Sequence, residues 1–295
     1  MVEVEVEVGV EVVVVGIGDS MELIEQSHRI IGRCPSDPQE ALKLIEYAGR
    51  VCYASEDKIT EDSALPFVRG LIERGHLSVL EHSEFTGDCD GAFTVTPYLH
   101  EAWGELYPLS IYSGNLRAWM ESGNRPKTRG HGYNDVTIDS FLRGEFMPAV
   151  CPQEHRRYTV EFITNRAMTH ELVRHRTASV SQASQRYIRY GDENQMLFIK
   201  PFEFSEWGLS AQDRFKDSCR SAEYDYGMLL AGGLKPQQAR NVLPNSCATR
   251  IVMTADRTCW EHVFKLRCDK AADPQMQDLM MPVKAEMMKL WEDEG

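Results

Sequence analysis

Valine and glutamate alternate from Val2 to Val8, and the run then turns continuously apolar through Val15. A two-residue period that loses its polar half predicts a strand over 2–15 with one wet face that becomes buried. Gly16-Ile17-Gly18-Asp19-Ser20 follows it. Without a third glycine at dinucleotide-binding spacing, this stretch reads as a turn.

Over 37–54, Asp37 in a capping position, Pro38 and Glu40 precede Ala41, Leu42, Ile45, Ala48 and Val51 at helical spacing. That order predicts a capped amphipathic helix, with a second over 63–74 closed by Gly75. Phe93 to Thr96 reads as a short strand, and the polar, Gly/Pro/Asn-rich 121–136 as a long loop. Alternation over 158–164 predicts a half-buried strand, followed by a short helix over 169–175 capped by Thr169. Further helices are predicted over 211–231, with Tyr224, Met228 and Leu229 on the apolar stripe, from Pro236, and over 249–266 and 273–291.

Composition narrows the class. A chain of 295 residues, 42% hydrophobic and 26% charged, can bury a sizeable core. No apolar run reaches the roughly 20 residues of a membrane span, and no leader pattern opens the chain, so a cytoplasmic location is expected. The eight cysteines form no CxxC pair and read as reduced packing residues. A net charge of -13 argues against nucleic acid as partner, since that affinity comes from many lysine and arginine contacts to phosphate. Cations gathered in one cleft can still bind a small anion.

The middle of the sequence shows such a gathering. Arg174-His175-Arg176 is followed by Ser179, Ser181, Gln182, Ser184, Arg186 and Tyr187. Fork-shaped cations, hydroxyls and an amide are the groups that recognise phosphate and a pyrimidine edge. Cys151-Pro152 reads as incidental, Ser184 as a phosphate-binding or loop-capping hydroxyl rather than a nucleophile, and His76 and His82 as packed or substrate-facing rather than metal ligands.

The string RHRTASVSQASQRY, with seven residues between the triplet and Ser184, resembles the signature of the flavin-dependent thymidylate synthases. Gly75-His76-Leu77-Ser78-Val79-Leu80-Glu81-His82, Thr169-His170-Glu171-Leu172-Val173, Ala239-Arg240-Asn241-Val242-Leu243-Pro244, Thr254-Ala255-Asp256 and Lys265-Leu266-Arg267-Cys268 are similar to further blocks of that family in the same order. The likeness covers roughly 40–86 and 158–290. Residues 1–37 look like an N-terminal extension and 87–157 like an insertion.

The resemblance implies an α+β fold, a mixed sheet flanked by helices in a single compact domain, assembled as a homotetramer with sites between subunits. It implies a synthase that moves the one-carbon unit of methylenetetrahydrofolate to dUMP, with FAD reduced by NADPH. By position, dUMP falls to Glu171, Arg174, Gln182, Ala183, Ser184, Gln185, Arg186, Arg240 and Arg267, and Arg267 takes the catalytic task at the uracil edge. FAD falls to Ser78, Arg174, His175, Arg176, Gln182, Asp256, Arg257, Thr258 and His262. Two positions depart from the pattern: Gln182 replaces a common glutamate, and Asp256 a common asparagine, where a carboxylate repels phosphate unless it caps a helix or pairs with Arg257. A uracil methyltransferase acting on RNA and a non-catalytic nucleotide-binding protein are the alternatives.

Overall fold

The computed structural model describes residues 21–84, 115–117, 153, 155–191 and 194–294, with the backbone alone of 2–8, 11–17, 85–87, 94–102, 105–114 and 154. The predicted strand over 2–15 is two antiparallel strands, β1 (Val2–Val8) and β2 (Glu11–Ile17), so Gly16 and Ile17 belong to a strand rather than a turn. The short strand β3 (Glu22–Ile24) and the strand β4 (Ser27–Arg33) follow. The helices α1 (Pro38–Val51) and α2 (Ala64–Glu73) match the two predicted from the pattern. Asp37 caps α1 by accepting from the amides of Gln39 and Glu40, both at 3.0 Å. Next come β5 (Phe85–Gly87), β6 (Thr94–Ala102) and β7 (Glu105–Gly114), a three-stranded antiparallel sheet in the order β5-β7-β6. The predicted loop over 121–136 lies outside the described residues.

The central sheet adds β8 (Arg157–Asn165), β9 (Ser179–Gln182) and β11 (Ala248–Asp256), and its order is β4-β8-β11-β9. Every pair in it is antiparallel. The mixed character of the fold lies elsewhere, in the parallel pairing of β3 with β10 (Leu197–Ile199). Among the described residues the longer helices that follow are α3 (Arg166–Leu172), α4 (Leu209–Ala231), α6 (Arg257–Arg267) and α7 (Pro274–Asp293), with the single turn α5 (Pro236–Ala239) after α4.

Two helix predictions fail here. The helix expected over 249–266 is the strand β11 followed by α6, because β11 is paired on both sides and buried on both faces, which erases the two-residue period. The helix expected from Thr169 starts at Arg166, where the Asn165 side chain accepts from the Met168 amide at 2.9 Å. Thr169 sits inside the helix, and its hydroxyl donates back to the Arg166 carbonyl at 3.0 Å. On α4 the buried face carries Cys219, Ala222 and Tyr226, while Tyr224 is exposed.

The sheet separates two apolar clusters. Tyr158, Val160 and Phe162 of β8 and Ile251, Met253 and Ala255 of β11 pack against Trp260, Val263 and Phe264 of α6 and Met276, Leu279, Val283 and Met287 of α7. Val252, on the other face, joins Leu42, Ile45 and Ala48 of α1 and Val68 and Leu71 of α2. That second face also carries a charged tie. Glu161 of β8 accepts from Arg250 of β11 at 2.6 and 2.9 Å, from Arg29 of β4 at 2.9 Å and from the Tyr47 hydroxyl of α1 at 2.8 Å. Burial opposes ionisation of this carboxyl, but the donors led by Arg250 hold it below the usual carboxylate range. The tie fixes β11, whose Arg250 carbonyl accepts from the Ala183 amide at 2.9 Å, and so steadies the segment after β9.

Candidate functional site

The chemistry-bearing residues collect around α3, a helix of seven residues between β8 and the Arg174–Arg176 triplet. At its C-terminal end, Arg267 from the last turn of α6 reaches across to Glu171. One nitrogen (Nη1) pairs with the Glu171 carboxylate, Nη2 donates to the Glu171 carbonyl at 2.9 Å, and Nε donates to His175 Nε2 at 3.0 Å. A guanidinium has five N–H donors, and three of them are engaged among the described residues.

Accepting from Arg267 requires His175 Nε2 to be unprotonated, which places the proton of a neutral ring on Nδ1. Burial, then the Arg267 charge, then His262 push the His175 imidazole down to about 4. His262 stands edge-on to it, ring centres 6.1 Å apart.

A second buried histidine, His82, is pushed down to about 3 by burial and then by the Arg157 charge. Unfolded histidine titrates near 6.5. Below that pH the unfolded chain takes up protons that the fold refuses, so stability falls as pH drops from about 6.5 toward about 4, and rises with pH across that window. The urea midpoint is expected to follow this slope, with a shallower fall in His82→Gln; a midpoint independent of pH over that range would refute it.

The N-terminal end of α3 holds a cation that the sequence reading passed over. Arg166 Nη2 donates to the Ala183 carbonyl at 2.9 Å, while its Nε is buried without a partner. No carboxylate pairs with it among the described residues. Burial lowers its guanidinium from the ordinary value, and the nearby Arg240 charge adds to that effect. A half-buried arginine without a counter-ion is costly unless something anionic completes it. The signal in the sequence was Asn165, a good cap residue directly before Arg166.

Between the two ends lies the segment after β9. Gln182 donates to Thr169 Oγ1 of α3 at 3.0 Å and to Thr249 Oγ1 of β11 at 3.3 Å. The Ser184 amide donates to the Cys52 carbonyl at 3.0 Å, and Gln185 Nε2 to Cys247 Sγ at 3.6 Å. Ala183 is buried, and Arg186 is exposed with its guanidinium 5.3 Å from the Tyr187 ring centre. The structure therefore brings Glu171, His175, Arg267 and His262 together at one end of α3, and Arg166, Ala183, Gln185 and Arg240 at the other. Five residues of helical rise put the ends about 7.5 Å apart.

Arg174 and Arg176 are exposed, with no ion pair or side-chain hydrogen bond among the described residues. Thr177, next to them, donates to Cys259 Sγ at 3.1 Å, tying the first turn of α6 beside the triplet. Asp256 caps that helix by accepting from the Cys259 amide at 2.7 Å. Arg257 pairs with Glu261 and stacks its guanidinium 4.8 Å from the Trp291 ring centre. Thr258 is exposed, as is Ser78 on the single turn Leu77–Glu81. His76 is exposed and His82 is buried between hydroxyls. Cys151 lies outside the described residues.

The fold and site thus define an α+β protein with cationic groups at both ends of a short helix and two exposed arginines beside it. The chain belongs to the thymidylate synthase complementing protein family, whose model matches residues 36–96 and 115–291. The flavin-dependent thymidylate synthase of Mycobacterium sp. (strain JLS) is 25% identical over 274 residues, which cover 86% of this chain and 78% of that protein. Its namesake in Geobacter sulfurreducens is 25% identical over 261 residues, 86% of this chain and 77% of the relative. That of Mycobacteroides abscessus is 27% identical over 251 residues, covering 80% and 71%. Among the described residues no helix is long and apolar enough to cross a membrane.

Proposed function

We propose that the protein is a flavin-dependent thymidylate synthase that converts dUMP to dTMP, with methylenetetrahydrofolate as carbon donor and NADPH as reductant. The observation that carries this is the pair of cationic ends on α3: an unpaired Arg166 with Arg240 at one, and Arg267 with two donors not engaged among the described residues at the other. The dUMP phosphate belongs with Ser184, Gln185, Arg186 and Arg240, joined by Arg166. The uracil belongs with Arg267, whose planar pair of N–H donors matches an imide edge and favours its N3-deprotonated form. Glu171 and His175 hold that guanidinium in place, and the neutral His175 adds no competing positive charge.

The donor set fits FAD. Arg174 and Arg176 are exposed cations suited to its pyrophosphate, His175 and His262 stand beside each other, and Ser78, Gln182 and Thr258 are the further polar groups that the resemblance assigns to it. Held there, FAD would supply the redox chemistry, hydride transfer between a nicotinamide and the pyrimidine. Asp256 and Arg257 contribute by fixing the start of α6, given the cap and the Trp291 contact.

A homotetramer with the flavin held between subunits, in the cytoplasm, is part of the same proposal. Val173 and Leu266, each exposed beside a site arginine, and Met281 and Met288 on α7 provide apolar surface that a neighbouring subunit would cover. Residues 1–37 are read as an extension and 87–157 as containing an insertion; the family match is interrupted at 97–114.

Replacing Arg176 by alanine is expected to weaken FAD roughly 10- to 100-fold while changing dUMP affinity far less, as loss of a charge-assisted hydrogen bond predicts. Titration of both ligands checks it, and the reverse order would contradict the assignment. The proposal itself is tested by purification and competition. The protein should carry flavin absorbance and bind dUMP in preference to uracil-containing RNA; preference for RNA would replace dUMP as the substrate, and binding of dUMP without flavin would favour a non-catalytic nucleotide-binding protein.

A further inference from the structure

The face of the central sheet that meets α1 carries a second polar arrangement, one the site does not touch. Cys34 Sγ, directly after β4, lies 3.6 Å from Thr159 Oγ1 of β8. Thr159 Oγ1 lies 2.7 Å from Thr254 Oγ1 of β11, and Thr254 Oγ1 lies 2.8 Å from His82 Nδ1. His82 Nε2 lies 2.9 Å from Ser181 Oγ of β9. These side chains follow the strand order β4-β8-β11-β9 across the whole sheet, and all five are buried. Thr159 and Thr254 face each other directly in the strand register. Between β11 and β9 no such direct side-chain bond bridges Thr254 and Ser181, and the imidazole fills that gap.

The gap matters because β9 is an edge strand. It is four residues long and, among the described residues, paired on one side alone, to β11. Few ladder bonds hold it, and the segment Gln182–Arg186 begins at its last residue. Ser181, the last residue before that segment, is the one His82 grips. A neutral imidazole offers one donor and one acceptor, which is what two hydroxyls on opposite sides can satisfy together. In a buried chain of this kind the bonds reinforce one another, and an unpartnered member is costly.

We propose that His82 is a positioning residue for the substrate segment: through Ser181 it fixes the end of β9 against Thr254, and thereby sets where Gln182 to Arg186 present their donors. The inference rests on the reading of that segment as the dUMP site. Its structural half can be measured without any ligand.

The experiment compares wild type, Ser181→Ala, His82→Ala, the double variant and His82→Gln. Ser181→Ala removes one oxygen and breaks the same tie from the other side, so it stays informative if His82→Ala folds poorly. Hydrogen exchange of the peptide over 179–187, which contains the bonded amides of Ala183 and Ser184, is read without ligand beside peptides of α7. Exchange in 179–187 should rise roughly three- to tenfold in Ser181→Ala and His82→Ala, with no further rise in the double variant and α7 unchanged. His82→Gln, whose amide can donate and accept, should recover most of the protection. In turnover, KM for dUMP should rise by a similar factor with kcat little changed, the pattern of lost positioning rather than lost folded protein.

Unchanged exchange in 179–187, additive effects in the double variant, or equal rises across 179–187 and α7 would each overturn the proposal. Failure of wild-type protein to bind dUMP would count against the proposed function instead, while the exchange comparison still decides whether His82 anchors β9.

Discussion

Lysine in place of Arg267 is expected to leave flavin content intact and to lower turnover by about 10²- to 10³-fold, the range seen when one donor is taken from developing negative charge. Among the described residues, three of the five N–H groups of Arg267 are engaged, by the Glu171 carboxylate, the Glu171 carbonyl and His175. The remaining two are the ones available to a uracil edge. An ammonium has three donors on one atom and cannot span Glu171, His175 and a ligand in one plane. His175 would lose the donor at its Nε2, and the ring would be free to change tautomer. The measurement is kcat and KM with flavin occupancy determined on the same preparation. Activity close to wild type would remove Arg267 from the chemistry, and loss of flavin in parallel would recast it as a scaffold residue.

Arg166→Met is expected to act in opposite directions on binding and on stability. Removing the charge should weaken dUMP roughly 10- to 100-fold, as loss of a charge-assisted hydrogen bond to phosphate predicts. The ligand-free protein, by contrast, should keep its urea midpoint or gain slightly. The half-buried guanidinium has an orphaned Nε, and burial already presses it toward the neutral form. An apolar side chain of similar length removes that desolvation cost, which offsets the partner lost by the Ala183 carbonyl. Isothermal titration with dUMP and urea denaturation give the two halves. A fall in stability with unchanged affinity would make Arg166 a structural clamp on Ala183 and take the phosphate away from this end of α3.

The parts of this arrangement that could be read from the sequence were those with local signals. The cap and period of α1 needed nothing from the rest of the chain, and neither did the spacing of the triplet from Ser184. The parts that could not be read depend on tertiary partners. β11 looks helical because both its faces are buried, so Ile251, Val252 and Met253 form an unbroken apolar run. Its strand character comes from β8 and β9 on either side. Thr169 was read as a cap because the hydroxyl type suits that position; the structure uses it inside α3 to hold Gln182. Arg166 was passed over for the same reason, since a start at Thr169 leaves it in a linker. The opening Val/Glu tract was read as one strand although Gly9, a residue poorly suited to a strand interior, falls between β1 and β2. Asp256 takes the capping role, one of the two that its position offers, by accepting from a backbone amide three residues on.

The central claim is that the two cationic ends of α3 hold dUMP for methylation with a flavin beside it. Release of tritium from 5-tritiated dUMP, assayed with and without methylenetetrahydrofolate, FAD and NADPH, addresses it directly, because substitution at C5 expels the hydrogen that carbon carries. Release that needs the folate and both redox partners is the predicted result. Tritium retained under all conditions by a folded protein carrying flavin would contradict it.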